Sequence, residues 1–341
     1  MKSEVLFVGP CSGGGMTTVM HTLCAQIPGT GIVCSYRGGS KIRKALDAIR
    51  GLLTLRRELL RHPEIGIVHI HSASNGSFRR KMHFARLAKR HGRKVLMHIH
   101  GGGFADFLAT DPQGIVADLN SLDGVVCLSQ QWADILSEAG VKRLFVLPNP
   151  VADPVRVEVE PDGRVHFLFL GLLDREKGVY DLLQAAADNR ERWSGKLVIH
   201  IGGVGPEETN MRKIIADHHI GDLVRLEGWV EGAAKARLFS QSSALLLPSY
   251  VEAMPVSLLE AMSYELPVIT TPVGSIPTMV TNGDNGLLVS PGSPAELASA
   301  IDQLAGDSSL RTRMGARGKK IVEKLSPEHI GEQLQTIYSK L

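Results

Sequence analysis

The sequence predicts an α/β protein with two domains, each built on a parallel β-sheet. Short apolar runs alternate with helix-patterned segments along almost the whole chain, which is typical of βαβ units. The 341 residues suffice for about two domains of ordinary size. A stretch rich in proline and charge, at 148–163, interrupts the alternation near the middle, so we expect a linker there.

Each half of the chain contributes six apolar runs with the length of buried strands. They lie at 5–9, 31–34, 65–71, 94–100, 124–129 and 144–148, and at 165–171, 196–203, 223–229, 244–249, 266–271 and 286–290. Continuous runs of Val, Ile and Leu indicate strands that are covered on both faces. We therefore expect a first domain at 1–150, a linker at 151–164, a second domain at 165–325 and a final helix at 326–341.

Composition excludes several classes of protein. Hydrophobic residues make up 43% and charged residues 21% of the chain, which argues against a disordered, collagen-like or coiled-coil protein. No apolar run reaches the roughly 18 residues of a membrane span, and the first residues lack the pattern of a signal peptide. The four cysteines form no C-x-x-C pair. We expect free thiols in a cytoplasmic protein.

Charge is distributed unevenly between the halves. Residues 1–150 hold 19 Lys and Arg against 10 Asp and Glu, whereas the remainder holds 19 against 25. The excess is concentrated in helix-patterned segments at 41–61 and 79–94, and its members include Arg56, Arg57, Arg61, Arg79, Arg80 and Lys81. We expect these residues to face an anionic membrane and a substrate held there, because the 5% aromatic content and the lack of a stacking motif disfavour nucleic acid. The alternative is two ordinary surface helices whose apolar sides cover the sheet.

A glycine-rich loop follows the first strand. In GPCSGGGMTT (9–18), Gly14 and Gly15 precede a helix, where backbone N–H groups can approach an anion. Gly15 stands where a phosphate-binding P-loop needs lysine, so the segment is not of that type. The alternative is a tight turn without function.

Two H-x-H steps occupy neighbouring strands. His69 and His71 share one face, as do His98 and His100, so each pair offers two possible metal ligands and a metal hydrolase is one alternative. Core histidines are the other interpretation. Since no further ligand cluster follows, we expect no metal. His100 stands apart because three glycines follow it at the carboxyl end of a strand.

The second half places charged residues after strand ends. Arg175 and Lys177 precede Gly178 near a helix start, where they can neutralise a phosphate. Glu252 follows a strand and Glu260 lies eight residues later, within the next helix. Two carboxylates at this spacing can accept hydrogen bonds from sugar and ribose hydroxyls. The apolar residues around them argue against two ordinary surface glutamates.

Seven motifs, in register along nearly the whole chain, resemble glycosyltransferase family 4. They are the loop 13–15, HIHGGGF (98–104), VLPNPV (146–151), GLLDREKG (171–178), LEGWV (226–230), the Glu252/Glu260 pair and VGSIPTMVTNGDNGLLV (273–289). The resemblance implies a retaining enzyme of the GT-B fold, with two Rossmann-like doubly wound domains facing across a cleft and a C-terminal helix crossing back to the first. The segment 68–81 further resembles transferases of bacterial exopolysaccharide or lipopolysaccharide synthesis.

The resemblance also implies roles for individual residues. Glu260 corresponds to the glutamate on the donor ribose, and Glu252 to the one beside the donor sugar. Lys177 corresponds to the basic residue that contacts the donor diphosphate, and His100 corresponds to the histidine near the transferred sugar. Further donor contacts are expected from Gly14, Gly15, Arg175, Ala253, Met254, Pro255 and Val256. The chain departs from the family pattern at Leu172, which replaces a common arginine, and at Val204, Glu265 and Thr278.

We therefore expect a metal-independent transferase that needs no cofactor. By resemblance, it moves a sugar from a nucleotide-sugar donor to a glycan or a polyprenyl-linked acceptor in cell-surface polysaccharide synthesis, with front-face attack by the acceptor hydroxyl. Its expected location is the inner face of the cell membrane, as a peripheral protein. A GT-B sugar-nucleotide epimerase and an inactive sugar-nucleotide-binding assembly subunit are the alternatives.

Overall fold

The chain was analysed as a computed structural model that describes residues 5–341, apart from the side chain of Lys41. The chain divides into two compact units. The first contains the residues up to Pro150 together with Leu325–Leu341, and the second contains Val151–Lys324. Residues 151–164 contain no helix or strand.

Each unit alternates strands and helices. The strands are β1 Val5–Pro10, β2 Gly31–Tyr36, β3 Ile67–Ser72, β4 Lys94–Ile99, β5 Gly124–Cys127, β6 Leu144–Val146, β7 Val165–Leu170, β8 Leu197–Gly202, β9 Val224–Gly228, β10 Ala244–Leu247, β11 Val268–Thr270 and β12 Gly286–Leu288. The helices are α1 Gly15–Gln26, α2 Lys41–Arg61, α3 Gly76–Arg90, α4 Phe104–Thr110, α5 Pro112–Asn120, α6 Gln130–Glu138, α7 Val179–Asp188, α8 Arg190–Trp193, α9 Glu208–Asp217, α10 Gly232–Gln241, α11 Val256–Ser263, α12 Pro294–Gly306, α13 Ser308–Val322 and α14 Pro327–Tyr338.

Both sheets are parallel and six-stranded, as the sequence predicts. The first has the order β2-β1-β3-β4-β5-β6, and the second has the order β12-β11-β10-β7-β8-β9. The second is the strand order of a Rossmann fold. In each sheet the order reverses once, between β1 and β3 in the first unit and between β7 and β10 in the second. Ligands of doubly wound sheets bind outside the strand carboxyl ends at this reversal.

All twelve apolar runs of the sequence are strands in the structure. The ends of the strands differ from the ends of the runs by at most two residues, because either the apolar run continues into a loop or the strand extends past the run. The run 244–249, for example, supplies β10 as far as Leu247 and then leads into the loop with Ser249. Among residues 5–341, no helix combines the length and the apolar character needed to cross a bilayer.

Cys11 and Cys34 form a disulfide, with their Cα atoms 5.5 Å apart. The expectation of four free thiols is therefore wrong for this pair. The parallel register of β1 and β2 sets Cys34 beside Gly9, and the backbone N–H of Cys11 donates to Tyr36 O at 2.9 Å. The bond thus joins the glycine-rich loop to the neighbouring strand. Cys24 and Cys127 are free.

The last helix, α14, packs in the first unit. Its buried side includes Ile330, Leu334 and Ile337, and Gly331 lies against Gln26 of α1, where an added Cβ would come within 2.6 Å of the Gln26 Cβ. Tyr338 is hydrogen-bonded through its hydroxyl to Nδ1 of His69, at 2.7 Å. The helix therefore completes the core of a unit that the chain left at residue 150.

A row of stacked histidines lies inside the first unit. His69 and His71 share one face of β3, and His71 pairs in register with His98 of β4. Neighbouring rings are 4.7 to 5.4 Å apart, and all three side chains are fully buried. Burial lowers the pKa of His69 to about 3, and holds the pKa values of His71 and His98 well below the usual 6.5. The row is therefore neutral at physiological pH.

Replacing Leu334 by alanine should destabilise the first unit. The side chain is fully buried, and such truncations cost about 2–5 kcal/mol. Hydrogen exchange should accelerate in β1 and β3 and stay unchanged in β7 to β12. Glu332→Ala, at an exposed position of the same helix, is the control. Unchanged exchange in the first unit of Leu334→Ala would contradict the packing of α14.

The buried histidines should make the first unit acid-sensitive. Below the unfolded pKa of about 6.5, the unfolded chain binds protons at these rings that the folded chain excludes. As the pH is lowered below 6.5, the free energy of unfolding should therefore decrease, by about 1.4 kcal/mol per pH unit for each ring.

Replacing His98 by leucine tests this linkage. Neither ring nitrogen of His98 has a hydrogen-bond partner among the described residues, so the substitution removes a protonation site without breaking a bond. Urea unfolding, together with hydrogen exchange in β4, measures stability between pH 6.5 and 5. The His98→Leu variant should lose less stability over this range than the wild-type protein. Equal slopes in the two proteins would refute the linkage.

Candidate active site

Lys177 and Glu252 lie at the reversal of strand order in the second unit. Lys177 ends a short 3-10 helix, Arg175–Lys177, in the loop after β7. Glu252 lies in the loop after β10. Because β7 and β10 are neighbours on opposite sides of the reversal, these loops meet at the crevice where doubly wound sheets bind ligands.

The two side chains form a largely buried ion pair. Lys177 Nζ donates to Glu252 Oε1 at 2.7 Å and to the carbonyl of Val251 at 3.3 Å. The hydroxyl of Ser249 donates to the same Glu252 oxygen at 2.9 Å. Glu252 is only 9% exposed. A cation and a carboxylate are therefore held together at one point of the crevice.

Glycines allow the loops to approach this closely. Gly178, which follows Lys177, has a φ of 70°, and an added Cβ would lie 2.0 Å from the carbonyl oxygen of Pro248. Gly274 has a φ of 55°, and a Cβ there would lie 1.9 Å from the backbone oxygen of Glu252. Asp174 accepts a hydrogen bond from the backbone N–H of Lys177 at 3.1 Å and so fixes the turn. Larger residues at either glycine would push the loops apart.

Glu260 lies on α11, the helix that follows the Glu252 loop. Lys235 of α10 donates to its Oε1 at 2.5 Å. Burial raises the pKa of Glu260, and the charge of Lys235 opposes that rise. The cap residue of α11 is Pro255, whose side chain accepts no hydrogen bond from the first turn. Ala253, Met254 and Pro255 are buried and Val256 is partly buried. This predicted donor segment leads directly from the Glu252 loop into α11.

Arg175 does not join this group. Its side chain is 76% exposed, Nε lies 3.4 Å from Glu207 Oε1, and the guanidinium lies over the ring of Tyr180. Leu172, where the family commonly has arginine, is also exposed. Lys177 is therefore the loop cation that the structure places beside Glu252.

The glycine-rich loop lies at the reversal of strand order in the first unit. Gly14 has a φ of 124° and precedes α1, which begins at Gly15 without a side-chain cap. An added Cβ at Gly14 would meet no atom within 4 Å. The backbone there is open to a ligand from outside the loop.

His100 follows β4 at the same edge of the sheet. Its Nε2 lies 2.8 Å from Nδ1 of His71, and its backbone N–H donates to Ser72 O at 2.8 Å. Burial, together with the charge of Lys81, lowers the pKa of His100 to about 3. The imidazole is neutral at physiological pH and its orientation is fixed by His71.

His69, His71 and His98 are the described residues that could hold a metal ion, since their ligand atoms lie within 4.8 Å of one another. Hydrogen bonds to Tyr338 and His100 occupy Nδ1 of His69 and of His71, which leaves their Nε2 atoms available. The ring of His69 stacks on those of His71 and His98. The expectation that the protein uses no metal stays a prediction.

The basic residues of the first unit fall into two environments. Arg56, Arg57, Arg61 and Arg79 are exposed, whereas Lys81 is fully buried. Arg80 is partly buried and lies over the ring of Tyr36. Lys81 therefore cannot contribute to a surface that touches a membrane.

Three partners of the site carry no clear signal in the sequence. Lys235 is one of several helical lysines, Ser249 is one of several serines after a strand, and His71 shares its motif with His69. Lys235 lies 25 residues from Glu260 and His71 lies 29 residues from His100, so only the fold brings these two pairs together. Ser249 lies three residues before Glu252 in the same loop.

Comparison with known proteins covers both units. The family described as glycosyltransferase family 4 matches residues 13–153, and the family described as glycosyl transferases group 1 matches residues 154–321. The N-acetyl-alpha-D-glucosaminyl L-malate synthase of Bacillus anthracis is 27% identical over 305 residues, 82% of this chain and 76% of that protein. The lipopolysaccharide core biosynthesis glycosyltransferase LpsE of Rhizobium meliloti is 27% identical over 255 residues, 72% of this chain and 73% of that protein.

Other relatives are matched over a shorter part. The alpha-D-kanosaminyltransferase of Streptomyces kanamyceticus is 28% identical over 181 residues, 53% of this chain, and the match spans about half of that protein, 47%. Among solved structures, Anabaena HepE in complex with UDP superposes with a TM-score of 0.78 at 17% identity, over 99% of this chain and 100% of that chain. This likeness concerns the fold. The fold is that of the GT-B glycosyltransferases, and the chain belongs to glycosyltransferase family 4.

Proposed function

We propose that the chain transfers a sugar from a nucleotide-sugar donor, bound by the second unit, to an acceptor hydroxyl with retention of configuration. The observation that carries the proposal is the buried Lys177–Glu252 pair at the strand-order reversal. A cation and a carboxylate at this point match the two halves of such a donor, a diphosphate and a polyhydroxylated sugar. The UDP complex of HepE makes UDP-sugars the first donors to test.

Lys177 would stabilise the leaving nucleoside diphosphate. Two hydrogen bonds join its ammonium group to Glu252 and to a backbone carbonyl, and a diphosphate oxygen is a stronger acceptor than that carbonyl. As the bond between sugar and phosphate breaks, negative charge grows on the diphosphate and the fixed ammonium stabilises it. Glu252, held by Ser249 as well, would accept hydrogen bonds from sugar hydroxyls.

Glu260 would bind the ribose of the donor. Its carboxylate lies on the helix that follows the Glu252 loop. Oε1 accepts a hydrogen bond from Lys235, and Oε2 is the second acceptor of the group. Burial raises the pKa of this carboxyl, and the ammonium of Lys235 opposes that rise by favouring the ionised form. In its ionised form the carboxylate can accept hydrogen bonds from both ribose hydroxyls.

His100 would act as a neutral hydrogen-bonding group on the acceptor side. With a pKa of about 3 it carries no charge at physiological pH, so it does not act as a general acid there. Front-face attack by the acceptor hydroxyl, with the leaving phosphate as the base, needs no protein nucleophile. The remaining proton transfer is then made by the substrate itself.

Replacing Glu252 by glutamine should lower sugar transfer by about 10²–10³, the scale of one lost preorganised contact. The measurement is release of nucleoside diphosphate from UDP-glucose or another verified donor, with and without acceptor. Release that requires acceptor also distinguishes a transferase from an epimerase.

Glu265→Gln is the matched control. This glutamate is exposed and pairs with Arg156 at 2.9 Å, away from the Lys177 pair. It should retain wild-type turnover and donor binding. Wild-type turnover in the Glu252→Gln variant would show that Glu252 takes no part in sugar transfer.

We also propose that the first unit binds an anionic membrane from its cytoplasmic face, through α2. The helix carries two apolar stripes. One is buried and includes Ala48, Leu55 and Leu59. The other is exposed to solvent, with Leu53 62% exposed, and consists of Ile42, Leu46, Ile49, Leu53 and Leu60.

The exposed stripe is what an ordinary surface helix would lack. Its members recur at spacings of three, four and seven residues, so they form one line along the helix. Arg56 and Arg57 flank that line on either side, and Arg50 and Arg61 lie beyond them on the exposed surface. An apolar stripe bordered by arginines is the arrangement of helices that lie in a membrane interface. This location would also suit a lipid-linked acceptor.

Reversing the charge of Arg56, Arg57 and Arg61 to glutamate should weaken binding to phosphatidylglycerol vesicles by at least 10²-fold, because each basic residue near such a surface contributes about 1 kcal/mol. Ile49→Asn with Leu53→Asn should weaken binding with all charges retained. Co-sedimentation at low salt measures both effects, and high salt should release the wild-type protein.

The control reverses Arg313, Lys320 and Lys324, three exposed basic residues of the second unit. This variant should sediment like wild type, and donor binding should be unchanged in every variant. If the wild-type protein fails to sediment with anionic vesicles at low salt, α2 is not a membrane contact.

A further inference from the structure

Lys81 is a buried cation to which the described chain offers no counter-charge. It lies in the second turn of α3, its side chain is 0% exposed, and Nζ has no hydrogen-bond partner among residues 5–341. Lysines are almost never fully buried unless they are paired. A charged ammonium in this position is costly unless an anion compensates it.

Two further donors lie in the same segment of chain. Ser74 Oγ and Arg80 Nε are also buried and have no partner among the described residues. Ser74 belongs to the loop between β3 and α3, and Gly101 follows β4. A Cβ on Gly101 would lie 2.5 Å from Ser74 Oγ, so the two loops touch because residue 101 is glycine.

The start of α3 adds backbone donors to this group. Its cap residue, Asn75, has a φ of 54° and makes no side-chain cap bond. The N–H of Ser77 donates to the Ser74 carbonyl at 3.1 Å. The other first-turn N–H groups and the positive end of a 15-residue helix face the loop that contains Ser74. Side chains of a helix lean toward its N-terminus, which directs Lys81 to the same end. This end lies beside the reversal of strand order between β1 and β3.

The surroundings hold cations and neutral groups. No Asp or Glu occurs between Glu64 and Asp106. Arg80 on α3 faces Lys81, and the neutral His71 and His100 face it from β3 and β4. Asp47, on the neighbouring α2, accepts a hydrogen bond from the backbone N–H of Arg37 and lies 3.9 Å from Arg50.

We propose that Lys81, Arg80, Ser74 and the first turn of α3 form a subsite for a phosphate group of the acceptor. Every member is a hydrogen-bond donor, and a tetrahedral anion offers four oxygens to such a set, whereas a carboxylate offers two. The assignment to the acceptor rests on the proposed function, in which Lys177 of the second unit holds the diphosphate of the donor. The acceptor is then a phosphate-bearing molecule, such as a diphosphate-linked lipid or a phosphorylated glycan.

The partly exposed loops 73–77 and 101–103 give an anion its access. Lys81 lies beneath them, and its four-carbon stem can carry the ammonium to the incoming oxygen atoms. Burial and Arg80 lower the pKa of Lys81 to about 7, so the ammonium is partly deprotonated near neutral pH before an anion binds.

Sulfate is the probe, because it mimics phosphate and does not titrate near neutral pH. Calorimetry at low ionic strength should show sulfate binding to wild type and at least tenfold weaker binding to Lys81→Met and to Arg80→Met. Arg90→Met, at an exposed position of the same helix, should bind like wild type. Lys81→Met should melt at a higher temperature than wild type in anion-free buffer, since it removes the uncompensated group. Wild-type sulfate affinity in Lys81→Met would overturn the proposal.

The pH dependence is a second readout. Binding requires the charged ammonium, so sulfate affinity of wild type should fall about tenfold from pH 6 to pH 8, around the pKa of about 7. His71 and His100 stay neutral throughout this range and contribute nothing to the change. An affinity that does not change over this range would contradict the role of Lys81.

Two further measurements separate acceptor from donor. Saturating UDP should leave sulfate binding unchanged, and sulfate should raise the KM for the acceptor without raising the KM for the donor. Displacement of sulfate by UDP would overturn the assignment to the acceptor. Sulfate binding is measured without turnover, so a chain that binds sulfate at Lys81 and transfers no sugar would refute the proposed function and retain the anion subsite.

Discussion

A parallel sheet brings the carboxyl ends of all its strands to one edge, and this constraint places the loop residues of the candidate site in each unit. Lys177 and Glu252 are 75 residues apart in the chain, and their side chains meet at 2.7 Å because β7 and β10 are neighbours across the reversal. In the first unit the same rule sets the glycine-rich loop after β1 beside the loop that contains Ser74 after β3. The candidate binding residues lie at the two reversals of strand order because the loops there run to opposite faces of the sheet and leave a crevice between them.

The sequence predicts the strands of both sheets well and the contacts between distant side chains poorly. Continuous Val, Ile and Leu runs identify all twelve strands, since only buried strands need such runs. Glu252 and Lys177 stand out because charge follows a strand end. Their pairing, and that of Glu260 with Lys235, depends on how elements far apart in sequence are arranged, which no local pattern encodes.

Helix α2 and the cysteines show two further limits of sequence interpretation. Periodicity detects that α2 is amphipathic, but the apolar residues around Leu53 and those around Leu55 lie on opposite sides of the helix, and only packing decides which side is buried. Cys11 and Cys34 belong to no recognised motif, and the register of two parallel strands brings them together. The burial of Lys81 is hidden in the same way, because a run of three basic residues ordinarily indicates a solvated helix face.

The return of the chain to its first unit has a consequence for biosynthesis. Residues 151–324 separate the first unit from α14, so the ribosome completes the second unit before it releases the helix that finishes the first. At about 5–20 residues per second, the first unit waits roughly 10–35 s with the α1 surface that α14 covers still open. During that interval the nascent chain exposes an apolar surface that chaperones can recognise. Residues 325–341 therefore determine when the part of the first unit that precedes residue 151 becomes fully folded.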